Sequence, residues 1–135
     1  NSARTAQDAA KALDCNIGAI VKSLLFRTGD DFILCLVAGD KRCSLNKLKK
    51  LKDKKDILMA SPEEVKTQTG YTIGGVSPVG HLKKIEIIID NSLERFNELF
   101  AAAGHPNCVF KIDFNKIQKI TNGKVEDIIE WDNQK

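Results

Sequence analysis

The sequence predicts an α+β fold, a single domain whose mixed, mostly antiparallel sheet carries helices on its flanks. Short apolar runs rich in β-branched residues, at 17–27, 32–37 and 85–89, alternate with helix-start signals. They do so without the regular strand–helix rhythm of a parallel α/β protein. A length of 135 residues bounds one core of ordinary size, so residues 1–135 are expected to form one domain. The composition, 42% hydrophobic and 29% charged, is that of a globular chain, and no apolar run approaches the roughly 20 residues of a membrane span.

Each element has its own signal. Thr5-Ala6-Gln7-Asp8 resembles a capping box and opens a helix to about Leu13. The runs 17–27 and 32–37, joined by Thr28-Gly29-Asp30-Asp31, read as a hairpin. A basic helix spans about 44–51, and a short strand 57–60 follows. Ser61-Pro62-Glu63-Glu64 joins an N-cap serine, a first-turn proline and a glutamate, the strongest helix start in the chain. Residues 85–89 form a strand, and Asn91 opens a helix that continues to Gly104. Residues 109–112 form a late strand, 113–120 a short helix, and Asn122-Gly123 a turn.

Chemistry concentrates in the stretch Gly74-Gly75-Val76-Ser77-Pro78-Val79-Gly80-His81. Clustered glycines bring bare N–H and C=O groups close to a ligand, and Pro78 stiffens the loop. The same composition also serves a structural turn. Lys22 sits within Ile20-Val21-Lys22-Ser23-Leu24-Leu25-Phe26, and strand alternation puts it on a face with Ile20, Leu24 and Phe26. An ammonium there needs a partner or a ligand, unless it snorkels to water. His105, between Gly104 and Pro106, is available as an acid, a base or a donor, or has no chemical role.

Charge is uneven although the net is only +3. Lys41, Arg42, Lys47, Lys49, Lys50, Lys52, Lys54 and Lys55 crowd 41–55 against Asp53 alone, while acidic residues lie elsewhere. Such asymmetry suits a phosphate-rich partner, although a solvated helix face carries the same pattern. With few aromatics to stack bases, backbone contact with a structured RNA fits better than reading a single strand. Cys15, Cys35, Cys43 and Cys108 match no zinc spacing and sit among apolar neighbours, which predicts reduced, partly buried thiols in a cytoplasmic protein and no metal site. The residues open on the first helix without a basic-then-apolar leader pattern.

The succession Ile20-Val21-Lys22-Ser23-Leu24, Ala38-Gly39-Asp40, Thr69-Gly70-Tyr71, the glycine-proline loop, Ala102-Ala103-Gly104 and a strand from Asn107 to Phe110 resembles the YbaK/ProX family. These are freestanding trans-editing aminoacyl-tRNA deacylases, related to the insertion domain of bacterial prolyl-tRNA synthetase. The resemblance covers about residues 4–128 and implies that family's fold. It also implies hydrolysis of the ester between a wrong amino acid and the 3′-terminal ribose of tRNA. Lys22 stands at the family's lysine and Gly74, Gly75, Val76, Ser77 and Pro78 at its G-x-x-x-P loop. The resemblance makes Lys22, Gly74, Gly75, Ser77, Pro78 and His105 catalytic, and Val76, Val79, Gly80, His81 and Gly104 substrate-binding. Val79 stands where relatives often carry an aromatic residue or leucine, which leaves the amino-acid preference open. The family is held to use neither metal nor covalent nucleophile, so no cofactor is implied. The implied partners are the acceptor end of mischarged tRNA, held by Lys41, Arg42, Lys47, Lys49, Lys50 and Lys52, and a synthetase, with no membrane. The segment that usually precedes the family's first helix is not seen in this sequence.

The chemistry is coherent. A missing methylene is worth only about 1–3 kcal/mol, so a synthetase cannot reject a smaller amino acid by binding alone and a second hydrolytic site must correct it. An activated ester needs only oriented water and a stabilised oxyanion. Two rival readings remain at this point: a tRNA- or synthetase-binding module of the same fold without hydrolysis, and a protein acting on a small non-RNA ligand.

Overall fold

The structure is a computed structural model that describes residues 2–105 and 108–130, with side chains from residue 6 onward. Pro106 and Asn107, where the sequence places the His105 loop and the start of the late strand, lie outside the described residues, as does the side chain of Thr5.

Helix α1 (Ser2–Leu13) begins before the expected cap, so Thr5 lies inside it. The alanine-rich sequence extends the helix past the local cap signal, and Ala6 and Ala10 are buried against Ile20. A 3-10 turn, Ile17–Ala19, takes the first residues of the expected first strand; the Asn16 side chain accepts from Gly18 N and caps it. Strands β1 (Val21–Thr28) and β2 (Asp31–Ala38) then form the expected hairpin, with Val21 opposite Ala38 and Thr28 opposite Asp31.

After a short β3 (Arg42–Cys43), the basic helix α2 (Leu45–Lys52) is capped by Ser44 Oγ, which accepts from Lys47 N. Three lysines in its last turn complement the helix dipole. Strand β4 (Ile57–Met59) leads to α3 (Pro62–Thr69), where Ser61 and Glu64 form a complete capping box. Strand β5 (Glu86–Asp90) leads into a 3-10 turn at Asn91–Arg95.

The helix expected from Asn91 to Gly104 does not continue. Residues Leu99–His105 are strand β6, paired antiparallel with β7 (Cys108–Ile112). Alanines favour a helix locally, but here their small side chains pack a sheet, with Ala101 fully buried. Helix α4 (Phe114–Thr121), capped by Asp113, precedes β8 (Lys124–Glu126) and β9 (Ile129–Glu130).

The main sheet is mixed, in the order β4-β1-β2-β5-β8. Its β4-β1-β2 side is antiparallel and its β2-β5-β8 side parallel, while the small β3-β9 and β6-β7 sheets are both antiparallel. Alternation along β1 and β2 divides the core. Val21, Leu25, Leu34 and Leu36 pack with Val65 of α3, Ile117 of α4 and Leu99 of β6. Phe26, Ile33, Cys35 and Val37 pack on the other face with Leu48 of α2, Ile128 and Ile129. No helix of the described residues is long and apolar enough to cross a membrane.

Candidate active site

Strand β1 is flanked by β2 along its whole length but by β4 only from Phe26 to Thr28. Beyond that, Ala60 N donates to Leu25 O at 3.0 Å, and Ile20 forms an isolated bridge with Phe100 of β6. Between these closures the edge of β1 is open. There it forms the wall of a cleft of about 440 Å³. Alanines of α1, Met59, Ile73, Phe100 and Val109 give the cleft an apolar rim and interior. Of the lining residues among those described, only Lys22 and Ser23 carry a polar side chain, and none carries a carboxylate.

Lys22 is half-buried, on the face of β1 that carries Leu24 and Phe26 as strand alternation requires. Ile20 parts from that face and packs against α1. The Lys22 Nζ donates to the carbonyl oxygen of Lys41. Burial pushes Lys22 below the ordinary lysine pKa, against the nearby Cys43 and Asp40, which favour its charge. The turn supplying the Lys41 carbonyl is braced by Asp40, whose carboxylate accepts two bonds from Arg95, at 2.7 and 3.1 Å. Burial opposes the ionised form of Asp40, but Arg95 and Lys41 outweigh it and hold the carboxyl below its usual range.

The glycine loop reaches the same cleft through Gly74 and Val76. Gly74 has φ +89°, and a Cβ built there meets no atom within 4 Å. The Gly75 N–H is taken up by the Thr72 carbonyl at 2.9 Å, whereas no described residue accepts from the N–H of Gly74 or Val76. Gly75, Ser77 and Pro78 are buried behind the loop and do not line the cleft. Ser77 Oγ accepts from Val79 N, and the Ser77 carbonyl accepts from His81 Nε2 at 2.7 Å. His81, Val79 and Gly80 thus stand off the cleft wall, in the loop's supporting structure.

Sequence reasoning missed the centre of that support. Tyr71 donates its hydroxyl to the Val79 carbonyl at 2.9 Å and meets His81 edge-on, with ring centroids 6.1 Å apart. A Cβ on Gly80 would lie 2.6 Å from the Tyr71 hydroxyl, and one on Gly104 would lie 2.9 Å from its ring. Two distant glycines therefore make room for one tyrosine. The chain holds a single tyrosine, a signal in a glycine-rich neighbourhood that could have pointed to this role. Gly104 and His105 lie at the tip of the β6-β7 hairpin, His105 exposed, and neither lines the cleft.

The basic segment divides. Lys47 pairs with Asp127 at 3.0 Å and Lys52 with Glu86 at 2.6 Å. Lys49 and Lys50 lie on the same helix without a carboxylate partner among the described residues, and Arg42 is exposed on β3. Helix α2 packs beside β4, whose Met59 lines the cleft. All four cysteines are free: Cys35 is buried and Cys15 and Cys43 half-buried, but Cys108 is exposed, contrary to the expectation for it. The neighbouring Cys35 thiol, with the Lys22 charge, holds the Cys43 thiol below its ordinary range although burial opposes its ionisation. No three His, Cys, Asp or Glu side chains among the described residues group to hold a metal ion.

A mixed-sheet domain with one lysine and a glycine loop on an apolar cleft is the class that the fold and site define. The chain belongs to the aminoacyl-tRNA editing domain family, whose model matches residues 1–120. It is 36% identical over 125 residues to the uncharacterized protein YwhH of Bacillus subtilis (strain 168), covering 92% of this chain and 79% of that protein. It is 38% identical over 87 residues to the proline–tRNA ligase of Kosmotoga olearia, covering 64% of this chain but only 15% of the ligase. Among solved structures, one provisionally assigned as a trans-editing enzyme for prolyl tRNA synthetase matches with TM-score 0.90 and 38% identity, over 96% of this chain and 82% of that one. The hypothetical protein APE2540 matches with TM-score 0.87 and 29% identity, over 94% and 85%.

Proposed function

We propose that this protein hydrolyses the aminoacyl ester of mischarged tRNA in the cytoplasm, releasing free amino acid and intact tRNA. One observation carries the reading: Lys22 and Gly74 come from segments far apart in sequence and face the same otherwise apolar cleft. Water adds to the ester carbonyl, and the carbonyl π electrons move to oxygen. As the tetrahedral species collapses, the carbonyl re-forms and the ribose oxygen leaves, taking a proton. The N–H groups of Gly74 and Val76 suit the developing oxyanion, and the Lys22 ammonium a neighbouring oxygen or the terminal phosphate. Gly75, Ser77, Pro78, Val79, Gly80 and His81 shape the loop that presents those amides. His105 and Gly104 act at a distance from the cleft wall, with His105 reaching the substrate from the hairpin tip. Lys41, Arg42, Lys47, Lys49, Lys50 and Lys52 hold the acceptor stem, and a synthetase is the further partner.

The test is a panel of mischarged tRNAs incubated with the protein, with loss of the aminoacyl ester followed over the spontaneous rate. Hydrolysis of at least one member, unaffected by chelator, is the expected result. Binding of tRNA with no hydrolysis would assign the protein instead as a binding module of the same fold.

A further inference from the structure

In the β1-β2 ladder, Gly39 N donates to Ile20 O at 2.7 Å, so Ile20, Lys22 and Leu24 turn their main-chain groups toward β2. The odd-numbered residues turn theirs the other way, as the bond from Ala60 N to Leu25 O confirms. Ser23 therefore presents both its N–H and its C=O to the cleft, where no strand pairs with them. Its Oγ is also without a hydrogen-bond partner and shielded from water. Unpaired main-chain groups on a sheet edge form a template for an added strand. This opening is closed by Phe100 at one end and Ala60 at the other, so it admits one residue and not a peptide.

We infer that Ser23 binds the aminoacyl group as a single residue of antiparallel strand. The substrate α-ammonium donates to the Ser23 carbonyl, and the Ser23 N–H donates to the ester carbonyl. An aminoacyl ester carries this donor and acceptor on one residue, the pair that a strand residue exchanges with its neighbour. Among the described residues the cleft lining has no carboxylate to take the ammonium, and the Lys22 charge repels it, which leaves main-chain carbonyls as its acceptors. The edge contacts read only the amino-acid backbone, so the side chain is left to the apolar rim.

The inference rests on the proposed deacylase reading, and its test separates the two. The tRNA that is deacylated fastest in the panel is prepared in three forms: aminoacyl, N-acetyl-aminoacyl, and the α-hydroxyacyl analogue with the same side chain. For each, the catalysed rate is divided by the spontaneous rate, because the free amine itself activates the ester. The expected result is an acceleration about 10- to 100-fold lower for both the N-acetyl and the α-hydroxy esters, the range of a hydrogen bond to a charged group. The α-hydroxy form adds no bulk, so its loss cannot be steric. Equal acceleration of all three would overturn the inference and leave the deacylase reading intact. No acceleration of any aminoacyl ester in the panel would overturn both. Ser23→Pro removes the outward N–H together with the side-chain hydroxyl, at a ladder position that faces no strand among the described residues. Ser23→Ala, which removes the hydroxyl alone, is its control. A folded Ser23→Pro protein that hydrolyses at the wild-type rate would also overturn the pairing.

Discussion

The ammonium of Lys22, on the cleft wall, donates to the main-chain carbonyl of Lys41, where the basic segment begins. A side chain that strand alternation sends toward an apolar face is thereby turned back to a fixed acceptor. The acceptor is itself held, because Arg95 grips Asp40 next to it in sequence. Charge at the cleft is positioned by a turn rather than by a carboxylate in the cleft.

Lys22→Ala is expected to lower the deacylation rate on the order of 10²-fold, the scale for losing a group that meets developing charge. The fold should persist, because the Lys22 side chain is only half-buried and packs no core. Single-turnover rates with circular dichroism check this. A folded variant at near-normal rate would make Lys22 a structural residue only.

Burial lowers the Lys22 pKa, so its charge is lost at a lower pH than for an exposed lysine. Activity that needs the ammonium should fall as pH rises through that lowered value, after subtraction of spontaneous ester hydrolysis. Stability should move oppositely. Between the folded and unfolded pKa values the unfolded chain binds more protons at this site, so its contribution to stability rises with pH. A rate profile with no alkaline limb below that of an ordinary lysine would count against Lys22.

Tyr71→Phe removes one hydroxyl and the bond to the Val79 carbonyl. A stability loss of about 1 kcal/mol is expected, together with a slower chemical step, because the loop presenting Gly74 loses its brace. Affinity for tRNA should be unchanged. Thermal unfolding, single-turnover rates and binding separate these effects, and a loss confined to affinity would contradict the bracing role.

The hairpin, the basic helix and the α3 capping box were legible because their signals are local and tertiary contacts agree with them. The β6 strand was not. Ala101 and Ala102 carry no strand signal, and their conformation is set by pairing with β7 and by the bridge from Phe100 to Ile20. Strands β3, β8 and β9 are short segments defined only by distant partners. Lys22 and the glycine loop could be singled out in the sequence. Their meeting at one cleft could not, since it depends on where β4 stops pairing with β1. The pairing of Lys47 with Asp127 and of Lys52 with Glu86 was equally hidden, because each joins residues far apart in the chain.

Gly74→Val tests the loop. The Cβ has space, so the cost comes from the positive φ, about 1–2 kcal/mol for a side-chain-bearing residue. The loop should relax locally, the fold and tRNA binding should survive, and hydrolysis should drop at least about tenfold as the amides shift from the ester. Full activity in a folded Gly74→Val protein would remove the loop from the chemistry.

The basic helix gives a graded prediction. Neutralising Lys49 and Lys50 together, as Lys→Gln, should weaken tRNA binding and flatten its salt dependence, since each lost phosphate contact removes released counterions. Neutralising Lys47 and Lys52 should cost less, because both already face carboxylates and must give up Asp127 or Glu86 before contacting phosphate. Neither pair lies on the cleft wall, so the chemical step at saturating tRNA should change little in either variant. Affinity at two salt concentrations and single-turnover rates measure both effects. Equal losses from the two pairs would mean that the ion pairs open on binding. Unchanged binding in both would place the acceptor stem on another surface, and a slowed chemical step at saturation would mean that helix α2 helps position the ester.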